Sequence, residues 1–141
     1  MSGVAMPPVK TCCISRINDA RVAVQHGASA VGLVSETPSR PSVIGESSVA
    51  QIVAAIPAGV ASVLLTSKPS AADIVDQQRR VRVNAAQICD HVRDGTYADL
   101  RCALPGVSLR QVAYHASRVV GSLTLWMRWR GPSWQALARG A

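Results

Sequence analysis

Five short apolar runs recur about every 25 residues, and stretches with helical signals separate them. The runs cover residues 9–14, 29–34, 60–66, 83–89 and 107–112. They are rich in Val, Ala, Ile and Cys and do not alternate cleanly with polar residues. Strands buried on both faces of a parallel sheet have that pattern. After the first run, Ser15 to Asp19 opens a helix whose apolar side is Ala20, Val22, Ala23 and Val24, and Gly27 stops it. A second helix is expected over 46–56, ended by Pro57 and Gly59. A third covers 70–80, where Ser70-Ala71-Ala72-Asp73 has the form of a capping box with Asp in the acidic place. A fourth covers 96–103, closed by Leu104-Pro105-Gly106. This alternation specifies an α/β fold on a parallel sheet. Two architectures satisfy it, the doubly wound open sheet and the (β/α)8 barrel. No G-x-G-x-x-G follows the first run and there is no Walker A sequence, so the nucleotide-binding forms of the doubly wound sheet lose weight.

At 141 residues and 48% hydrophobic content, the chain has the size and composition of one globular domain. No apolar stretch approaches the about 18 residues of a membrane span. Residues 1–10 do not read as a secretory signal. Four cysteines without a C-x-x-C pair read neither as a disulfide framework nor as a zinc ribbon, so a cytoplasmic setting is expected. The net charge of +7 is unevenly placed. Up to Asp99 the bases and acids nearly balance. Beyond it stand Arg101, Arg110, Arg118, Arg128, Arg130 and Arg139 with no acid, alongside Trp126, Trp129 and Trp134. That excess sits on no recognisable nucleic-acid module, and nucleic acid is not an expected partner.

The first run and its continuation, Val9-Lys10-Thr11-Cys12-Cys13-Ile14-Ser15-Arg16, resemble the opening "VKICGITR" of phosphoribosylanthranilate isomerases. Asn18-Asp19-Ala20 then matches that family's helix start. Gly27-Ala28-Ser29-Ala30-Val31-Gly32-Leu33-Val34 is similar to its "GADAIGFVF", Val53-Ala54-Ala55-Ile56-Pro57 to its "VAALPP", and Ala86-Gln87-Ile88-Cys89-Asp90 to its "VQLHG". The likeness runs in register from about Val9 to Val112. It implies the first five units of a TIM barrel and an Amadori rearrangement of N-(5-phosphoribosyl)anthranilate in tryptophan biosynthesis. In that reaction an acid protonates the ribose ring oxygen and a base removes the C2 proton. The resemblance assigns the base to Cys12, and the substrate-contacting arginine to Arg40 in Pro38-Ser39-Arg40-Pro41, about one residue out of register. It implies a small phosphosugar substrate and neither a metal nor an organic cofactor. Thr11 and Cys13 replace the family's Ile and Gly, and Cys89 and Asp90 replace its His and Gly. The catalytic acid of the family is an Asp on a later strand, and here no Asp or Glu follows Asp99. The glycine-rich phosphate loops are missing as well.

The chain therefore divides into a partial (β/α)8 barrel over 1–113 and a divergent basic tail over 114–141. Back-translation of Leu125-Trp126-Met127-Arg128-Trp129 with a Leu codon ending in G and a CGN Arg codon, read from the third base of the Leu codon, yields Val-Asp-Ala followed by Leu, Met or Val, which resembles the lead-in to the family's acid-bearing strand. This points to a frameshift between about Val112 and Leu125; the other reading is a genuine basic appendage. A barrel stopped at five strands leaves open sheet edges, so the alternative expectation is a non-catalytic partial barrel that self-associates or binds a partner completing it. Among the remaining features, Cys12-Cys13 suit neither a relaxed disulfide nor shared metal ligation. Cys89-Asp90-His91 lacks further metal ligands, and His26 reads as a helix-end residue.

Overall fold

A computed structural model describes residues 8–35 and 43–112. The elements run β1 (Lys10–Thr11), α1 (Ile17–Gln25), β2 (Ala30–Val34), α2 (Glu46–Ala55), β3 (Ala61–Thr66), α3 (Ala71–Val81), β4 (Ala85–Ile88), α4 (Tyr97–Ala103) and β5 (Ser108–Gln111). All five strands are parallel and lie in chain order, β1-β2-β3-β4-β5. A doubly wound sheet reverses its strand order at a switch point. Here the order never reverses, as in consecutive units of a barrel.

The side chains confirm the curl. Lys10 on β1 donates to Gln87 Oε1 on β4 at 2.7 Å. In a flat sheet those strands lie about 14 Å apart, and side chains standing perpendicular to it do not meet over that distance. The sheet wraps around one face. That inner face carries Ala30, Val34, Ala61, Val63, Leu65, Ala85, Cys89 and Val112, a cluster with no helix residue in it. The outer face packs Val31, Leu33 and Leu64 against Ala20, Val49, Ile52 and Val81 of the helices. A second outer cluster joins Ile88 to Ile74, Val75 and Leu100. β2, β3 and β4 are buried along their whole length, which is why their sequences read as continuous apolar runs. β1 and β5, at the two edges, are only half-buried for the most part. Among the described residues, no helix is long and apolar enough to cross a membrane.

Polar side chains fix the helices onto this sheet. Thr66 donates to Gln77 Oε1 at 2.8 Å, and Gln77 donates to Glu46 Oε1 at 3.3 Å. Arg80 also bonds Glu46, at 3.1 Å through Nη2. This chain of bonds ties the end of β3 to α3 and to the start of α2. The Arg80 hydrogen bond holds the Glu46 carboxyl below its usual range. Its contribution is therefore present above the ordinary glutamate value of about 4.3 and is lost as the pH falls through the lowered one.

Two helix ends differ from the expectation. Ser70 precedes α3 but makes no side-chain cap. The loop after β4 supplies the partners instead, since Ala71 N–H donates to the Asp94 carbonyl at 2.8 Å. The capping box forms at α4. Thr96 Oγ1 accepts from Asp99 N–H at 3.2 Å, and Asp99 Oδ2 accepts from Thr96 N–H at 2.7 Å. Thr96→Ala is expected to cost about 1 kcal/mol, read as a lower urea midpoint. At the other end of α3, Arg82 is left-handed, with φ 56° and ψ 46°. Arg82→Gly is expected to stabilise the fold by about 0.5–1 kcal/mol, read as a higher urea midpoint, since glycine adopts that conformation without a Cβ clash.

Candidate functional site

Catalysis in barrels of this kind takes place at the C-terminal ends of the strands. Cys12 stands there, just past β1, exposed and as a free thiol. The expected strand 9–14 is shortened to Lys10–Thr11 because Cys13 takes φ 60°, a left-handed conformation that costs a non-glycine residue about 1 kcal/mol. Pairing with β2 resumes one residue later, where Ile14 N–H donates to the Gly32 carbonyl at 3.1 Å. The resemblance puts glycine at position 13, and this backbone gives the reason. The kink leaves Cys12 as the last inner-face residue of its strand.

Gly32 seats that thiol. It lies on β2 beside Cys12, and a Cβ there would come within 2.8 Å of Cys12 Sγ, 3.0 Å of Lys10 Cε and 3.3 Å of Cys12 Cα. The missing side chain makes room for both neighbours.

Three polar side chains share the inner face with Cys12. Lys10 pairs in register with Ala30, and Gln87 with Arg110. Gln87 and, just past β4, Cys89 share the face of Ala85, and Cys89 is 1% exposed. Burial lowers the Lys10 ammonium below its usual range, and the neighbouring thiols of Cys12, Cys89 and Cys13 pull it back up, while Arg110 lowers it further. Burial also brings the Arg110 guanidinium down to about 10. The face thus carries two basic side chains, Lys10 and Arg110, and a thiol at the strand ends. That arrangement can hold negative charge and, at Cys12, exchange a proton.

Of the two site residues expected from the sequence, Cys12 is placed at the strand ends, and Arg40 lies outside the described residues, as does the tail over 114–141. Sequence reasoning missed Lys10, Gln87, Arg110 and Gly32 as site components. A signal was available for two of them: Lys10 shares the parity of Cys12 along the first run, and Gln87 that of Cys89 along the fourth, hence the same face.

Comparison with known proteins bears on the same units. No family model matches the chain. N-(5'-phosphoribosyl)anthranilate isomerase of Halorubrum lacusprofundi is 34% identical over 84 residues, which is 59% of this chain and 39% of that protein. The same enzyme of Alcanivorax borkumensis is 38% identical over 84 residues, covering 60% and 38%. The chain spans about two fifths of the length of these curated relatives. The crystal structure of phosphoribosyl anthranilate isomerase from Thermotoga maritima superposes with a TM-score of 0.63 at 25% identity, over 75% of this chain and 50% of that one. The isomerase of Pyrococcus furiosus shares the fold with a TM-score of 0.68 at 15% identity, over 81% and 55%. A further structure, also 25% identical, is of phosphoribosyl anthranilate isomerase in complex with reduced 1-(o-carboxyphenylamino)-1-deoxyribulose 5-phosphate. The four βα units and the fifth strand of this chain are related to the corresponding part of phosphoribosylanthranilate isomerases.

Proposed function

We propose that the chain carries the base-bearing part of an isomerase of the phosphoribosylanthranilate type. Its reaction is the Amadori rearrangement of N-(5-phosphoribosyl)anthranilate in tryptophan biosynthesis. The observation that supports this reading is Cys12, a free and exposed thiol just past β1, at the position to which the resemblance assigns the base. In the proposed step the Cys12 thiolate removes the C2 proton after the sugar ring has opened, and the enolamine ketonises. Arg40 is proposed as the contact to the substrate's acidic group, and the substrate as a small phosphosugar. The cytoplasm is the proposed setting.

The acid that must protonate the ring oxygen is not found after Asp99 within these 141 residues. We therefore propose that the chain by itself is impaired or inactive, with residues 1–113 forming a partial barrel and 114–141 a basic tail encoded out of frame. The test is loss of anthranilate fluorescence when the purified chain meets the substrate. The expected rate is indistinguishable from that of Cys12→Ala. A Cys12-dependent rate from the chain alone would overturn the impairment.

A second reading has support in the sheet. Among the described strands, β1 pairs with β2 only and β5 with β4 only, so each presents an edge. We propose on this ground a non-catalytic partial barrel that self-associates. Sedimentation as a monomer at all concentrations would dismiss it.

A further inference from the structure

We infer that Lys10 is the cationic partner of Cys12: its side chain crosses Gly32 beside the sulfur and places an ammonium where it stabilises the thiolate. The inference deepens the reading of Cys12 as a base and rests on that reading for its catalytic meaning. Three observations carry it. Gly32 leaves a space whose centre is 2.8 Å from Cys12 Sγ and 3.0 Å from Lys10 Cε, so the two side chains are close neighbours over one residue. The ammonium is anchored, since Lys10 Nζ donates to Gln87 Oε1 at 2.7 Å across the curled sheet. The anchor is itself buried, on the continuously buried strand β4.

The groups facing this ammonium are Cys12 and Cys13 past β1, Cys89 on the same face of β4, and Arg110 on β5. The thiols favour a charged lysine, against the burial that opposes it. Arg110 opposes the lysine charge and adds a second cation to the face. Cys12 is exposed whereas Cys89 is buried, so the sulfur that meets a reagent or substrate is Cys12. Lys10 acts through that sulfur and is a positioning residue, not a catalytic one.

The test is the rate at which iodoacetamide alkylates Cys12 near neutral pH, followed by peptide mass spectrometry in a Cys13→Gly background. Lys10→Gln keeps a polar group within reach of Gln87 and removes the charge. It is expected to slow Cys12 alkylation by about fivefold or more, because the rate follows the thiolate fraction. Lys10→Arg is expected to retain most of the rate. Cys102, exposed on α4, is the internal standard and should not change. A variant that has unfolded reveals itself by alkylation of Cys89, and Lys10→Met then serves in its place. Equal Cys12 rates in the parent and either folded neutral variant would overturn the inference. Rates that depend on Lys10, with no isomerase turnover after the remaining barrel units are supplied, would leave the pair standing and remove Cys12 as an isomerase base.

Discussion

Replacing Cys12 by alanine is expected to abolish turnover in a barrel completed from this chain, by at least about a hundredfold. That is the lower end of what a positioned proton-transfer group contributes. The completed barrel would pair this chain with the remaining βα units of a full-length isomerase, which carry the acid and the phosphate loops. Cys12 differs from the other thiols in where the backbone puts it. Cys89 is enclosed at 1% exposure just past β4, and Cys102 lies on α4, away from the inner face. Cys102→Ala is therefore expected to leave the rate unchanged. Steady-state kinetics of the two variants side by side check this. A Cys12→Ala barrel with full activity would move the base elsewhere.

Gly32→Ala is expected to have the second large effect. The added Cβ would meet not only Cys12 Sγ at 2.8 Å and Lys10 Cε at 3.0 Å, but also Cys12 Cα at 3.3 Å. Side-chain rotation relieves the first two contacts, whereas the third requires the backbone to move. Overpacking of this kind costs about 1–3 kcal/mol. Because the clash is with the site, stability and Cys12 reactivity should change together. Urea unfolding combined with Cys12 alkylation measures both. An unchanged midpoint and an unchanged alkylation rate would mean that the chain accommodates the methyl group elsewhere, and that Gly32 does not seat the thiol.

How much of this was legible in the sequence varies with the physics. Every strand fell inside its apolar run, because burial on both faces leaves no other pattern for β2, β3 and β4. The choice between doubly wound sheet and barrel was not legible from the runs alone. It depends on strand order and on a curl that the Lys10–Gln87 bond makes visible. The end of β1 was misjudged because Val9-Lys10-Thr11-Cys12-Cys13-Ile14 has strand composition throughout, and a left-handed Cys13 leaves no mark in composition. The capping box was assigned to Ser70, whose neighbour Ala71 finds its partner in the Asp94 carbonyl of a distant loop. At Thr96 the same short pattern does form the box. Cys12 was reached through a resemblance. Lys10 and Gln87 could have been reached through parity, since each shares a face with the cysteine two residues on, Cys12 and Cys89. What they face depends on the curl of the sheet.

The measurement that tests the central claim most directly is trans-complementation. This chain would be mixed with the remaining βα units of a full-length isomerase, and N-(5-phosphoribosyl)anthranilate fluorescence followed over time. The account predicts no turnover from either part alone, and turnover from the mixture that vanishes with Cys12→Ala. A mixture that assembles, as shown by sedimentation, yet leaves the substrate untouched would contradict it.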